Sequence, residues 1–216
     1  MIEVKTLTKS YEDIIPLQDI NFCIDGGDFV SVIGPSGSGK TTLLNVMAGL
    51  LTPTEGRIIV DGVSLYELNQ RSRVAFRRKN FGFIFQSFNL ISYLTAVENV
   101  EVPLYLSGEK KKRQRYVAHE LLARVGLEDK GDRFPGQLSI GEQQRVAIAR
   151  TLANSPRIIF ADEPTGNLDG KAGRVIMCYM KELNELGVTI LLVTHDPEMA
   201  SFAEKKIELT DGRLSL

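Results

Sequence analysis

Gly34-Pro35-Ser36-Gly37-Ser38-Gly39-Lys40-Thr41-Thr42 stands between the apolar run Phe29-Val30-Ser31-Val32-Ile33 and the segment Leu43-Leu44-Asn45-Val46-Met47-Ala48. A short buried strand, a glycine-rich turn and a helix, in that order, predict a P-loop. Backbone N–H groups at a helix N-terminus form a nest for phosphate, and glycines let the chain wrap closely because they carry no Cβ. Ser36, Gly37, Ser38, Gly39 and Thr42 are therefore candidate phosphate-binding residues. Lys40 would reach the β- and γ-phosphates, and the Thr41 hydroxyl would ligate Mg²⁺.

The rest of the chain is compatible with one nucleotide-binding domain. Its 216 residues are enough for one good-sized core, or a core with a smaller appended lobe. With 43% hydrophobic and 25% charged residues, the composition is that of an ordinary globular protein and argues against disorder. A net charge of -1 gives no global attraction to nucleic acid or anionic lipid, so any such contact must be local. Cys23 and Cys178 form no Cys-x-x-Cys pair and are too few for a disulfide framework, which favours a reducing compartment. Met1 to Lys5 shows no secretory signal, and apolar runs such as Val188 to Val193 are far shorter than the ~20 residues of a membrane helix.

Outward from the P-loop, Ile2, Val4 and Thr6, then Ile20, Phe22 and Ile24, alternate with charged and polar residues and predict short strands, with Tyr11 in the loop between them. Tyr11 either covers a core edge or stacks on a purine. Gly56 to Val60 is a strand closed by the Asp61-Gly62 turn. Arg71 to Lys79 reads as a solvated helix face. Phe81 to Phe85 is a buried strand ending at Gln86, where open α/β sheets place ligands. Ser87 to Leu106 is apolar for a connection, either a buried helical lobe or a partner-docking surface, with Thr95 capping a short helix that Pro103 stops. Lys110 to Arg115 opens a helix with Val117, Leu121, Leu122 and Val125 on one stripe, ended by Gly126.

A second cluster follows. In Leu138-Ser139-Ile140-Gly141-Glu142, Ser139 is a natural N-cap for a helix through Val146, Ile148, Ala149 and Leu152, giving another anion-suited helix N-terminus. Arg157 to Ala161 is a buried strand ending in Asp162 and Glu163. Two acids there are costly unless they serve a cation or a reaction. Asp162 suits the Mg²⁺-side carboxylate, and Glu163 suits a base that polarises the attacking water. Asn167-Leu168-Asp169 lies in the following polar loop. A helix from about 171 to 186 is ended by Gly187, and the strand Val188 to Thr194 delivers His195 to its end. A terminal hairpin turns at Asp211-Gly212.

These residues, in this order and spacing, resemble the nucleotide-binding subunit of an ABC transporter over essentially the whole chain. Gly34 to Thr42 matches the Walker A loop, Gln86 the Q-loop, Leu138 to Glu142 the signature and Ile158 to Asp162 the Walker B strand. Glu163 matches the catalytic glutamate, Asn167 to Asp169 the D-loop, His195 the H-loop switch and Tyr11 the aromatic A-loop residue. The resemblance implies a single ABC ATPase domain over 1–216. Its α/β P-loop core has a mainly parallel sheet flanked by helices, an N-terminal antiparallel β subdomain, and a helical subdomain at about 87–155 carrying the signature.

It further implies ATP and Mg²⁺ as cofactors, with Thr41, Gln86 and Asp162 on the metal side and Glu163, His195 and Gln86 in catalysis. Two copies would dimerise head to tail, so that Ser139 and Gly141 of one face the nucleotide held by the other, with Asp169 also among the cofactor-binding residues. A separate transmembrane permease is the second partner and no nucleic acid is expected. The subunit would sit in the cytoplasm, peripheral on the inner face of the membrane.

The signature departs from Leu-Ser-Gly-Gly-Gln at Ile140 and Glu142. Because a β-branched residue is strained at positive φ, Ile140 is expected to be helix-like with its side chain turned from phosphate.

The phrases Phe88-Asn89-Leu90 and Thr95-Ala96-Val97-Glu98-Asn99-Val100 resemble the branch serving lipoprotein release and macrolide or peptide export, with a cell-division-type ATPase as the alternative. Nucleic-acid-associated members of the superfamily are disfavoured: no long coiled coil separates P-loop from signature, and only one cassette is present. A sensor without turnover conflicts with the intact Glu163 and His195.

Overall fold

The computed structural model describes residues 1–215. The strands are β1 (Ile2–Tyr11), β2 (Ile14–Ile24), β3 (Phe29–Ile33), β4 (Glu55–Val60), β5 (Val63–Ser64), β6 (Phe81–Phe85), β7 (Ile158–Asp162), β8 (Thr189–Val193), β9 (Lys205–Thr210) and β10 (Arg213–Ser215). The helices are α1 (Lys40–Met47), α2 (Gln70–Asn80), α3 (Ala96–Leu106), α4 (Lys111–Arg124), α5 (Ile140–Leu152), α6 (Gly170–Glu185) and α7 (Pro197–Ala200), with a 3-10 turn at Pro135–Gln137.

Two sheets form. The first is antiparallel, in the order β2-β1-β4-β5; the second runs β10-β9-β3-β8-β7-β6, with every pair parallel except the terminal hairpin β9–β10. Strands β7 and β8 are buried at nearly every position, as expected where helices cover both faces of a parallel sheet. Helix α1 follows β3 directly, and its Leu43, Leu44, Val46 and Met47 share one core with Leu7, Leu17, Ile20 and Ile58 of the antiparallel sheet. That shared core fixes the P-loop against β2.

Helices α3, α4 and α5 lie between β6 and β7 and build a second core around Val97, Val100, Leu121, Leu122, Val146 and Ile148. Pro103 does not stop α3: it lies inside the helix, which continues to Leu106. Only one main-chain bond is forfeited there. The helix start is over-determined by a capping box between Thr95 and Glu98, and by the fully buried Asn99, whose amide accepts from Ile91 N and donates to the carbonyls of Ile91, Leu94 and Thr95. Packing of Val97, Val100 and Leu104 outweighs the lost bond. Tyr11, expected in a loop, is instead the last residue of β1, paired with Ile14. Helix α2 has no buried residue, in keeping with a solvated face.

Candidate active site

In the second sheet the strands β3, β8, β7 and β6 are consecutive neighbours and parallel, so their C-terminal ends lie in one row. The P-loop leaves β3, His195 follows β8, Asp162 ends β7 with Glu163 directly after it, and Gln86 follows β6. Neighbouring strands are about 4.8 Å apart, which is why residues remote in sequence converge.

The loop after β3 is shaped by glycines that nothing else could replace. Gly34 has φ 153 and a Cβ there would stand 2.0 Å from the carbonyl oxygen of Leu209; Gly39 has φ 101 and its Cβ would stand 2.2 Å from the carbonyl oxygen of Pro16. Gly39 is the N-cap of α1 and supplies no side-chain cap, so the first N–H groups of the helix are left for a ligand. The Ser38 hydroxyl is buried beside them without a protein partner. The Lys40 ammonium curls over the loop and donates to the carbonyls of Gly34 and Pro35 at 2.9 and 2.8 Å. An anion arriving at the helix N-terminus meets a cation already in place.

A cleft of about 290 Å³ opens here, lined by Pro16, the P-loop residues Ser36, Gly37, Gly39, Lys40, Thr41 and Thr42, and by Glu163 and His195. Asp162 joins it through Thr41, whose hydroxyl donates to Oδ1 at 3.2 Å. Burial pushes the Asp162 carboxyl above the ordinary value, and the adjacent Glu163 charge adds to the rise, while the Thr41 hydroxyl and Lys40 oppose it. A hydroxyl and a carboxylate side by side are hard oxygen donors suited to Mg²⁺. Among the described residues no three His, Cys, Asp or Glu converge on a metal site, so phosphate oxygens and water would have to complete the shell.

Glu163 is held differently. Its backbone has φ 46, a left-handed conformation uncommon outside glycine, and its N–H donates to the carbonyl of Val193. Its Oε1 accepts from the His195 backbone N–H at 2.9 Å and lies 2.6 Å from His195 Nδ1; Oε2 accepts from Thr194 at 3.1 Å. A carboxylate only accepts, so Nδ1 carries the hydrogen in this pair.

The remaining expected residues stand outside the cleft lining. Tyr11 is exposed, with Lys9 over its ring at 4.5 Å. Gln86 packs on the loop after Glu163: its carbonyl accepts from Asn167 at 2.8 Å, and a Cβ on Gly166 would meet its Nε2 at 2.7 Å. Ser139 caps α5 in a capping box with Glu142, whose carboxylate accepts from the Ser139 N–H at 2.7 Å. Ile140 is the first helical residue, is not among the described residues with positive φ, and is 53% exposed. Asp169 caps α6 by accepting from Ala172 N, and Gly141 lies beside Ala172, so the signature and the Asn167–Asp169 loop form one surface. Gln144, which sequence reading passed over, is fully buried beneath that surface.

A family profile described as ABC transporter matches residues 17–166. The chain belongs to the ABC transporter family. This cassette is 51% identical over 218 residues to the uncharacterized ABC transporter ATP-binding protein MJ1508 of Methanocaldococcus jannaschii, covering 99% of this chain and 97% of that one. It is 45% identical to the macrolide export ATP-binding/permease protein MacB of Photorhabdus laumondii over 99% of its own length, but spans only 34% of that longer protein. Among solved structures it is similar to the dimeric post-hydrolysis state of the cassette MJ0796 bound to ADP and Pi, with TM-score 0.93, 45% identity, and coverage of 100% of this chain and 97% of the other. No helix among the described residues is long and apolar enough to cross a membrane.

Proposed function

We propose that the cassette hydrolyses MgATP at two sites shared between head-to-tail copies of itself and drives a separate permease in an export system. The P-loop backbone from Ser36 to Gly39, with Lys40 and Thr42, holds the triphosphate, and Tyr11 stacks on the base. Thr41 and Asp162, joined by Gln86, would hold Mg²⁺, which would supply neutralisation of phosphate charge. Glu163 orients the attacking water and accepts its proton, and His195 keeps the Glu163 carboxylate aimed while its ring faces the γ-phosphate position. Ser139, Gly141 and Asp169 act on the nucleotide of the other copy.

The observation that carries this reading is the pairing of two charged clusters at one cleft, Thr41 with Asp162 and Glu163 with His195, while the capped N-terminus of α5 lies outside that cleft. Likeness to a dimeric cassette and to a macrolide export ATP-binding/permease protein supports the dimer, the permease partner and the export role. Attachment to a permease places the cassette in the cytoplasm, on the inner face of the membrane.

The test is hydrolysis by Glu163→Gln. Loss of a general base predicts a fall of about 10²-fold or more with ATP still bound. Hydrolysis at the parental rate would remove Glu163 from its role.

A further inference from the structure

Gln144 occupies the second turn of α5, five residues beyond the Ser139 cap, and has no exposed surface. Its Nε2 donates to the carbonyl of Pro164 at 2.5 Å in a buried bond. Proline has no N–H and its carbonyl only accepts, so the orientation of the carboxamide is fixed by chemistry. The other amide atom, Oε1, is buried with no protein partner. A buried polar group that is only half satisfied lowers stability, and an apolar residue of similar shape would fill the same space without that penalty. The carboxamide is therefore poorly explained by packing.

Pro164 follows Glu163 directly. The backbone turns sharply there: Glu163 has φ 46, and its carbonyl accepts from Gly166 N at 3.1 Å. A left-handed non-glycine residue persists only where its surroundings over-determine it. On the strand side the Glu163 N–H is held by Val193, and on the far side the Gln144 amide holds the next carbonyl. Gln144 thus ties α5 to the main chain that aims the Glu163 carboxylate. The N-terminus of α5 carries Ser139 as its cap, about one and a half turns from Gln144 along one hydrogen-bonded helix, and Gly141 in its first turn.

We propose that Gln144 is a positioning residue for hydrolysis. It holds the Glu163–Pro164 turn and makes the setting of the Glu163 carboxylate follow the stance of the signature helix. A second copy's nucleotide seated on α5 therefore adjusts the general base of the chain that owns the helix. This rests on the role assigned above to Glu163.

The test is a double-mutant cycle in the full chain, read by steady-state hydrolysis and, for slow variants, single turnover. Gln144→Met keeps the shape and removes the donor. It is expected to lower kcat about tenfold or more, with KM for ATP changed less than threefold, because a positioned base contributes about 10²–10⁴ in rate and a misaimed one forfeits part of that. In the Glu163→Gln background the same change should cost less than about twofold, since there is no base left to aim. Gln144→Glu adds a readout that a merely structural role would not move. Its carboxylate repels the Pro164 carbonyl, whereas its protonated form donates to it, so activity relative to the parent should rise as pH is lowered.

A Gln144→Met enzyme with parental kcat, or an equal loss in both backgrounds, would overturn the inference while leaving Glu163 in place. Parental hydrolysis by Glu163→Gln alone would instead overturn the reading on which it rests.

Discussion

The carboxylate of Glu163 accepts the backbone N–H of His195 at 2.9 Å and lies 2.6 Å from Nδ1 of the same residue. Both contacts come from the residue two places past the end of β8, the strand next to β7, so the register that pairs Asp162 with Val193 brings base and imidazole together. His195→Ala removes the ring contact and leaves the backbone one. Hydrolysis is expected to fall by about 10²-fold, within the range of a lost acid–base partner, with ATP affinity nearly unchanged. Comparison of kcat and KM checks this.

Two carboxyl groups give opposite dependences of stability on pH. Burial raises the folded-state value of Asp162, so its contribution is most favourable below the ordinary carboxylate range and is lost as pH rises through the raised value. Asp162→Asn should raise the Tm of the nucleotide-free protein at neutral pH by about 2–4 °C, with the gain vanishing in acid. Glu98 behaves in reverse. The Thr95 backbone N–H and hydroxyl hold it below its usual value, so it stabilises above that range and its contribution is lost as pH falls. Glu98→Ala should lower Tm near neutrality, at a cost of about 1 kcal/mol for a lost capping partner, and match the parent in acid. Thermal melts across pH measure both.

Tyr11 stands at the end of β1 opposite Ile14, with its ring exposed and Lys9 above it. If the ring stacks on the base, Tyr11→Ala forfeits about 1–3 kcal/mol, as other base–aromatic contacts do. KM for ATP should then rise at least about fivefold with kcat retained. Tyr11→Phe should restore the parental KM, because stacking uses the ring face and not the hydroxyl.

The P-loop, the strand ends and the order of motifs were legible in sequence because each rests on local pattern: glycine spacing before Lys40, apolar runs before Asp162 and His195, and Ser139 ahead of α5. What escaped depends on tertiary contact. Pro103 reads as a helix stop by its own chemistry, yet Asn99 and the Thr95–Glu98 box hold the helix from upstream. The end of β1 at Tyr11 depends on pairing with β2 through several register shifts that no alternation announces. Gln144 looks like one polar residue among several in Glu142-Gln143-Gln144-Arg145, and only the fold shows its amide buried against Pro164. The Lys40 bonds to Gly34 and Pro35 likewise follow from the loop's path rather than its composition.

In the proposed dimer each ATP site is completed by a second copy through Ser139 and Gly141. A Cβ at Gly141 would make only an ordinary 3.8 Å contact with Ala172, so Gly141→Asp is compatible with the fold while placing negative charge where phosphate is expected. The decisive measurement is sedimentation of Glu163→Gln and of the Glu163→Gln, Gly141→Asp double variant with MgATP, alongside ATP binding to each. The first should form a dimer with ATP, and the second should stay a monomer that still binds ATP through its own Lys40 loop. A dimer that persists in the double variant, or a Glu163→Gln protein that stays monomeric when saturated with ATP, would contradict that arrangement.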